Sequence, residues 1–291
     1  MQTLLQLIFT ALQIGAVYIL FALGLTLIFG VLRIVNFAHG QFFTLSALVV
    51  SVTVPWFASG GRPVWLAYAI ACALGVIVTS AFGALVYEAG FKRVERDMTG
   101  SFILSAGLVL MVEGGFMKLF GGGVRPVPPL IDGNVDVLGV SIAAQRLVLC
   151  GVAAALTLLV TLALGGTRFG KALRAVSIDH EAAMLQGIPY RRIAFRGFVA
   201  ATAIGAVAGA LIAPVAAVTP TLGDAYLVKG FIAVVIGGMG SVAGAILGSL
   251  FIAVVESFVG FYFDPSVASL AIFVLVMAVL LVRPKGLLGH E

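Results

Sequence analysis

Residues 4–29 carry no charged side chain, and apolar runs of comparable length recur along the rest of the chain. About 20 predominantly apolar residues are what a helix needs to cross roughly 30 Å of hydrocarbon. A chain written this way folds with lipid as part of its solvent. Composition agrees: 62% of the 291 residues are hydrophobic and 10% are charged, against about 25% charged in soluble domains. The reading is an all-α polytopic membrane protein, a helical bundle of about eight spans with two broken or re-entrant segments. All of 1–291 is read as one transmembrane domain.

The spans are predicted at 4–29, 42–57, 64–87, 102–120, 147–164 and 194–218, the last kinked at Pro214. Residues 229–261 are too long for one crossing and too short for two full ones. A turn at Gly237, Gly238, Met239 and Gly240 resolves this, because it returns Arg283 and Lys285 to the side that holds the other bases. Basic loops mark the cytoplasmic side. Lys92, Arg93 and Arg96 lie in one such loop, whereas 121–142, with Pro126, Pro128 and Pro129, forms the long loop on the opposite face. The net charge of +5 is therefore a matter of topology, and nucleic acid is not an expected partner. Met1, Gln2 and Thr3 lack the positive start of a cleavable leader, so the first run is expected to stay as a span.

Polar residues within such a chain are few and therefore informative. Asn36, Phe37, His39 and Gly40 interrupt hydrophobic sequence without the residues needed to leave the membrane. Irregular backbone at that depth is tolerated where protein buries it or a watery cavity meets it, so these residues are candidates for a transport path. The alternative places Asn36 and His39 at an ordinary interfacial turn. Gly237, Gly238, Gly240 and Ser241 form the second interruption, and two shortened segments are the pattern of duplicated transporter halves. Glu113 and Glu256 are the deeper carboxylates, read either as substrate contacts or as helix-to-helix pairs, with Lys118 one turn from Glu113. So few buried ionisable groups argue against an ion-coupled carrier. Gly205 with Gly209, and Gly240 with Gly244 and Gly248, have the spacing of close helix contacts.

No catalytic set, metal site or cofactor is expected. Cys72 and Cys150 fall inside apolar segments and suggest neither a ligand pair nor a disulfide. Gly165-Gly-Thr-Arg-Phe-Gly-Lys-Ala172 approaches the P-loop pattern but lacks the Ser or Thr after lysine and the strand before it.

The one long polar stretch is 167–196. Within it Asp179 reads as a helix N-cap, Glu181 as a first-turn acid, Gly187 as the left-handed residue past the end, and Pro189 as the stop. A helix of about two turns does not persist alone in water. Its apolar residues Met184, Leu185 and Ile188 are read as a face docking on a cytoplasmic partner or lying on lipid headgroups.

Glu181-Ala182-Ala183, followed by Gly187, resembles the EAA loop of ABC importer permeases, although the later Ile-x-Leu-Pro is absent. Arg33-Ile-Val-Asn-Phe-Ala-His-Gly40 and Val235-Ile-Gly-Gly-Met-Gly-Ser-Val-Ala-Gly244 resemble signature segments of the branched-chain amino acid permeases of the LivH type. The likeness runs along essentially the whole chain, to Arg-Pro-Lys-Gly at 283–286. It implies a bacterial inner-membrane subunit with a coupling loop at 167–196, in which Glu181, Ala182, Ala183, Met184, Leu185 and Gly187 meet an ATPase. The implied partners are a homologous second permease subunit, two ATP-binding cassette ATPase subunits, a periplasmic substrate-binding protein and membrane lipids. The implied cargo is a branched-chain or related amino acid. The competing reading is a channel or facilitator that needs no ATP, for amides or urea.

Overall fold

A computed structural model describes residues 2–95, 97–137, 139–284 and 286–288. Met1, Arg96, Lys285 and the last three residues, which enter the readings above, lie outside the described residues. The chain runs α1 (Gln2–Leu32), α2 (His39–Ser59), α3 (Val64–Ala89), a 3-10 turn (Phe91–Arg93), α4 (Met98–Phe120), β1 (Asn134–Val137), β2 (Val140–Ala143) and α5 (Ala144–Gly166). It continues with α6 (Arg168–Ile178), α7 (His180–Leu185), α8 (Tyr190–Ile212), α9 (Leu222–Gly237), α10 (Val242–Tyr262) and α11 (Pro265–Val282). Eight of these helices are long and apolar enough to cross a membrane, and the protein is an all-α polytopic membrane protein. The 16 residues of α9 reach about 24 Å and fall short of a crossing.

The helices form two halves that pack alike. α1 lies against α9 and α10, and α8 lies against α2 and α3; α2 pairs with α3 as α9 pairs with α10. The halves run in opposite directions. Gly24 of α1 faces Ala201 of α8, whereas Val31, further along α1, faces Gly197, which is earlier in α8. This is an inverted repeat of α1–α3 in α8–α10, an arrangement common in transporters.

The repeat corrects the matching expected from sequence. The counterpart of the break before α2 is the segment 213–221 before α9. The Gly237–Ser241 turn corresponds to the turn at 60–63 between α2 and α3. Segment 213–221 was hidden because it holds prolines and no glycine, so it reads as an extension of the sixth span. Pro214 ends that span rather than kinking it: α8 stops at Ile212, whose carbonyl takes the N–H groups of Val215 and Ala216 at 2.9 Å each. A proline has no N–H with which to continue the helical ladder.

Two further elements are not anticipated by the sequence reading. The long loop contains the antiparallel β1–β2 hairpin, with Val135 opposite Ile142. The polar stretch contains α6, capped by Thr167, whose hydroxyl accepts from Gly170 N–H at 3.1 Å. Leu173 and Val176 are its buried face, and period-3 spacing of those apolar residues among basic ones is a helical pattern. The near-P-loop is thus the corner between α5 and α6. A side chain at Gly170 would overlap the Leu164 carbonyl, so that glycine serves helix packing.

Candidate coupling helix and transport path

One end of the bundle gathers Arg33, Arg174, Arg191 and Arg192 around α6 and α7. The short α7 is closed at both ends by its own sequence. Asp179 Oδ1 accepts the N–H groups of Glu181 at 2.9 Å and Ala182 at 3.1 Å. The bond from Ala182, reinforced by that from Glu181, holds the Asp179 carboxyl below its usual range. At the other end Gly187 has φ +80°. There Ile188 N–H reaches the Ala183 carbonyl at 3.0 Å and Gly187 N–H reaches Met184 at 2.9 Å. These are the two bonds of a Schellman ending, which favours glycine at the left-handed position.

The faces of α7 divide sharply. Ala183 is 5% exposed and joins the core of Leu27, Val31, Leu173 and Ile193. Ile188 is half-buried against the same core, so it serves the helix ending and adds little to an outer face. Leu185 is 87% and Met184 47% exposed, and Glu181, Ala182 and Gly187 are exposed beside them. Neighbouring Ile178, at the end of α6, is also exposed.

Arg33 ties this end to the break in the bundle. It occupies the left-handed region at φ 51°, and its Nη2 donates to the Ser177 carbonyl at 3.2 Å and the Ile178 carbonyl at 3.4 Å. A guanidinium against the last carbonyls of α6 satisfies groups that the helix leaves open. Beyond Arg33 the chain runs without helix to Ala38. Asn36 Oδ1 takes Ala38 N–H at 3.0 Å, and α2 begins at His39.

His39 sits at the centre of the fold. Its ring is fully buried, meets Phe21 edge-on at 4.9 Å between centroids, and its nitrogens make no well-aligned hydrogen bond among the described residues. Gly24 and Gly205 leave its slot open: a Cβ on Gly24 would stand 2.6 Å from Nε2 and one on Gly205 3.0 Å from the ring. One residue on, Gly40 meets Gly223 of α9 backbone to backbone. Thr44 Oγ1 donates to the Gly40 carbonyl at 3.0 Å and accepts Gly223 N–H at 2.8 Å. Gln41 Nε2 donates to Asp224 Oδ1 at 3.1 Å. The starts of α2 and α9 are therefore stitched together inside the bundle.

The structure does not bring the two sets of sequence-derived path residues together. Asn36, His39 and Gly40 are packed in the centre. Phe37 faces an apolar groove with Leu227, Phe231 and Phe273. Gly237 packs on Gly244, Gly238 follows the end of α9, and Ser241 caps α10 by accepting Gly244 N–H at 3.1 Å. Gly240, at the basic end, lines a hollow of about 310 Å³ with Thr26, Gly30, Arg174 and Ser177.

The two glutamates part company. Glu113 is half-buried on α4 and forms no ion pair with Lys118, among the described residues. Glu256 joins three helices: its Oε2 accepts from Tyr18 Oη at 2.7 Å and its Oε1 pairs with Lys229 Nζ. That pair lines a second cavity of about 310 Å³, with Gln13, Arg146 and Tyr226. Lys229, Tyr18 and Arg146 were missed as site residues, although a lysine inside an apolar segment is itself a marker.

Residues 7–282 match the family described as the branched-chain amino acid transport system permease component. The chain is 30% identical to BraD, a high-affinity branched-chain amino acid transport system permease protein of Pseudomonas aeruginosa, over 98% of this chain and 96% of that one. It is 29% identical to the corresponding LivH of Salmonella typhimurium over the same shares. It is also 29% identical to FruF, a fructose import permease protein of Bifidobacterium longum, over 93% of this chain and 76% of that one. No solved structure matches. By the family match across its spans, the chain is a multi-pass transport subunit and belongs to the branched-chain amino acid transport system permease family.

Proposed function

We propose that the chain is the membrane-spanning permease subunit of an ABC importer of the bacterial inner membrane, moving branched-chain or related amino acids at the expense of ATP hydrolysed by partner subunits. In this reading residues 1–291 are one permease domain, 167–196 is its coupling loop, and the basic loops and the C-terminus face the cytoplasm. The partners are two ATPase subunits, a homologous second permease in a heterodimer, and a periplasmic binding protein that delivers the cargo. Lipid covers apolar faces such as that of α5, where Leu158, Leu159 and Leu162 are exposed.

The observation that carries this reading is α7. A six-residue helix is too short to be stable alone, yet it is capped at both ends and presents Leu185 almost bare. Glu181, Ala182, Met184, Leu185 and Gly187 form the surface that an ATPase groove takes, while Ala183 anchors the helix to the bundle. Movement of α7 passes through α6 and Arg33 to the break before α2, and so to the α2–α9 crossing. Asn36, Phe37, His39 and Gly40 act as the frame of that crossing. The Gly237, Gly238, Gly240 and Ser241 turn bounds the path at the basic end.

Proteoliposomes holding the purified assembly test this directly. Radiolabelled leucine should accumulate only when ATP and the binding protein are present. Uptake by the chain alone, indifferent to ATP, would make it a facilitator for small polar solutes such as amides or urea.

A further inference from the structure

The Glu256–Lys229 pair does not have the surroundings of a structural tie. An ion pair inside a bundle gains most when apolar packing encloses it and further hydrogen bonds complete it. Here the two side chains keep 23% and 21% of their surface open, and Glu256 faces two adjoining hollows of about 300 and 310 Å³. A cavity of this size lies at the lower end of small-ligand sites, roughly 300–1,000 Å³.

A second observation points the same way. Gln6, Thr10 and Gln13 lie at helical spacing on α1, which is otherwise apolar from Leu4 to Val17. Gln6 and Thr10 line the outer hollows and Gln13 lines the cavity itself. Polar side chains in a span face protein or water rather than lipid. The row leads from the start of α1 directly to Tyr18, Glu256 and Lys229.

We propose that the cavity between α1, α5, α9 and α10 is a site for the zwitterion of an aliphatic α-amino acid, with Lys229 taking the carboxylate and Glu256 the ammonium. The inference deepens the importer reading and rests on it. Its physical basis is charge balance. In the empty cavity Lys229 and Glu256 are paired with each other, and with a zwitterion bound each has its own partner, so neither stands unpaired at either stage. A ligand with a single charge would leave Lys229 or Glu256 without a partner. Arg146, exposed at the start of α5, lines the mouth of the same cavity. Val17, Ile212 and Val215 supply an apolar wall for the side chain. Tyr18, donating to Glu256 Oε2 at 2.7 Å, aims that carboxylate.

The charge-exchanged variant Lys229→Glu/Glu256→Lys tests the site in the full assembly. It keeps an ion pair between α9 and α10 but reverses the polarity that a bound zwitterion meets. The wild-type assembly is assayed first for ATP-dependent leucine uptake; its absence would overturn the importer reading itself. With wild-type uptake established, the exchanged variant should assemble and melt like the wild type while uptake falls about tenfold or more, as loss of a desolvated charge contact implies. Uptake within about twofold of wild type would overturn the site. If the exchanged variant does not assemble, Lys229→Met/Glu256→Gln is measured in the same way. Failure of both to assemble makes the pair a structural tie and overturns the proposal.

Discussion

Two helices begin in the middle of the bundle, and they are held there by different means. α2 starts after a polar break whose first residue, Arg33, holds the end of α6, and whose last turn rests on Asn36 and the buried His39. α9 starts after 213–221, which holds Pro214 and Pro220 and is pinned at the opposite end of the bundle, where Arg125 N–H meets the Val218 carbonyl at 2.9 Å. One start is tied, through Arg33, to the end of α6 that leads into α7. The other is tied to the loop that also carries the β1–β2 hairpin, and it carries Lys229. In the proposed reading the difference separates drive from cargo: α2 is tied to the basic end, α9 to the far end, and they meet at Gly40 and Gly223.

The meeting point gives the largest expected effect. Gly223→Val places carbon where the Gly40 carbonyl already lies, and a backbone obstacle cannot rotate away. A loss of about 3 kcal/mol or more, beyond ordinary overpacking, should abolish a monodisperse peak in detergent size-exclusion chromatography. Gly122→Val, which meets nothing within 4 Å, should leave that peak intact.

Next comes the His39 slot. Gly24→Ala should cost about 1–3 kcal/mol through the ring contact. In combination with His39→Ala the cost should be below the sum of the single losses by about 1 kcal/mol, because contacting sites do not add. Melting temperatures in detergent check this, and strict additivity would mean that the slot is not the reason for the glycine.

The tie at Arg33 should act on coupling rather than on folding. Arg33→Gln removes two exposed side-chain bonds, worth about 1 kcal/mol or less each. Leucine uptake is expected to fall several-fold while ATP hydrolysis by the assembly continues. Equal loss of both activities would place Arg33 in assembly instead of transmission.

The smallest effect concerns the cap of α7. The folded Asp179 carboxyl lies below its ordinary range, so its stabilisation is full above the unfolded value of about 3.9. It is lost as pH falls through the lower folded value. Amide exchange at Glu181 and Ala182 should therefore be independent of pH-driven opening near neutrality. It should quicken about fivefold in Asp179→Ala, as the loss of an N-cap implies.

Much of this was legible in the chain. The spans follow from hydrophobic runs, because lipid demands length and apolarity and little else. The α7 ends were readable because Asp179 and Gly187 act through their own neighbours. The turn at Gly237–Gly240 followed from charge parity. What stayed hidden depends on partners distant in sequence. Segment 213–221 reads as helix until its proline is seen to end one, and Lys229 gains meaning only when Glu256 and Tyr18, on α10 and α1, come together around it. His39 was visible as unusual, but its enclosure by Gly24 and Gly205 belongs to the packing of three helices.

The central claim is that α7 is a docking surface held ready by its own caps, and mild detergent extraction of a Leu185→Glu variant tests it most directly. Leu185 is 87% exposed, so the change should leave the bundle and its melting temperature as they are. The wild-type protein is expected to carry an ATPase and a second permease through purification, and the variant to keep the permease while losing the ATPase. Retention of the ATPase by the variant, or a wild-type protein that purifies alone and conducts solute after reconstitution, would contradict the account.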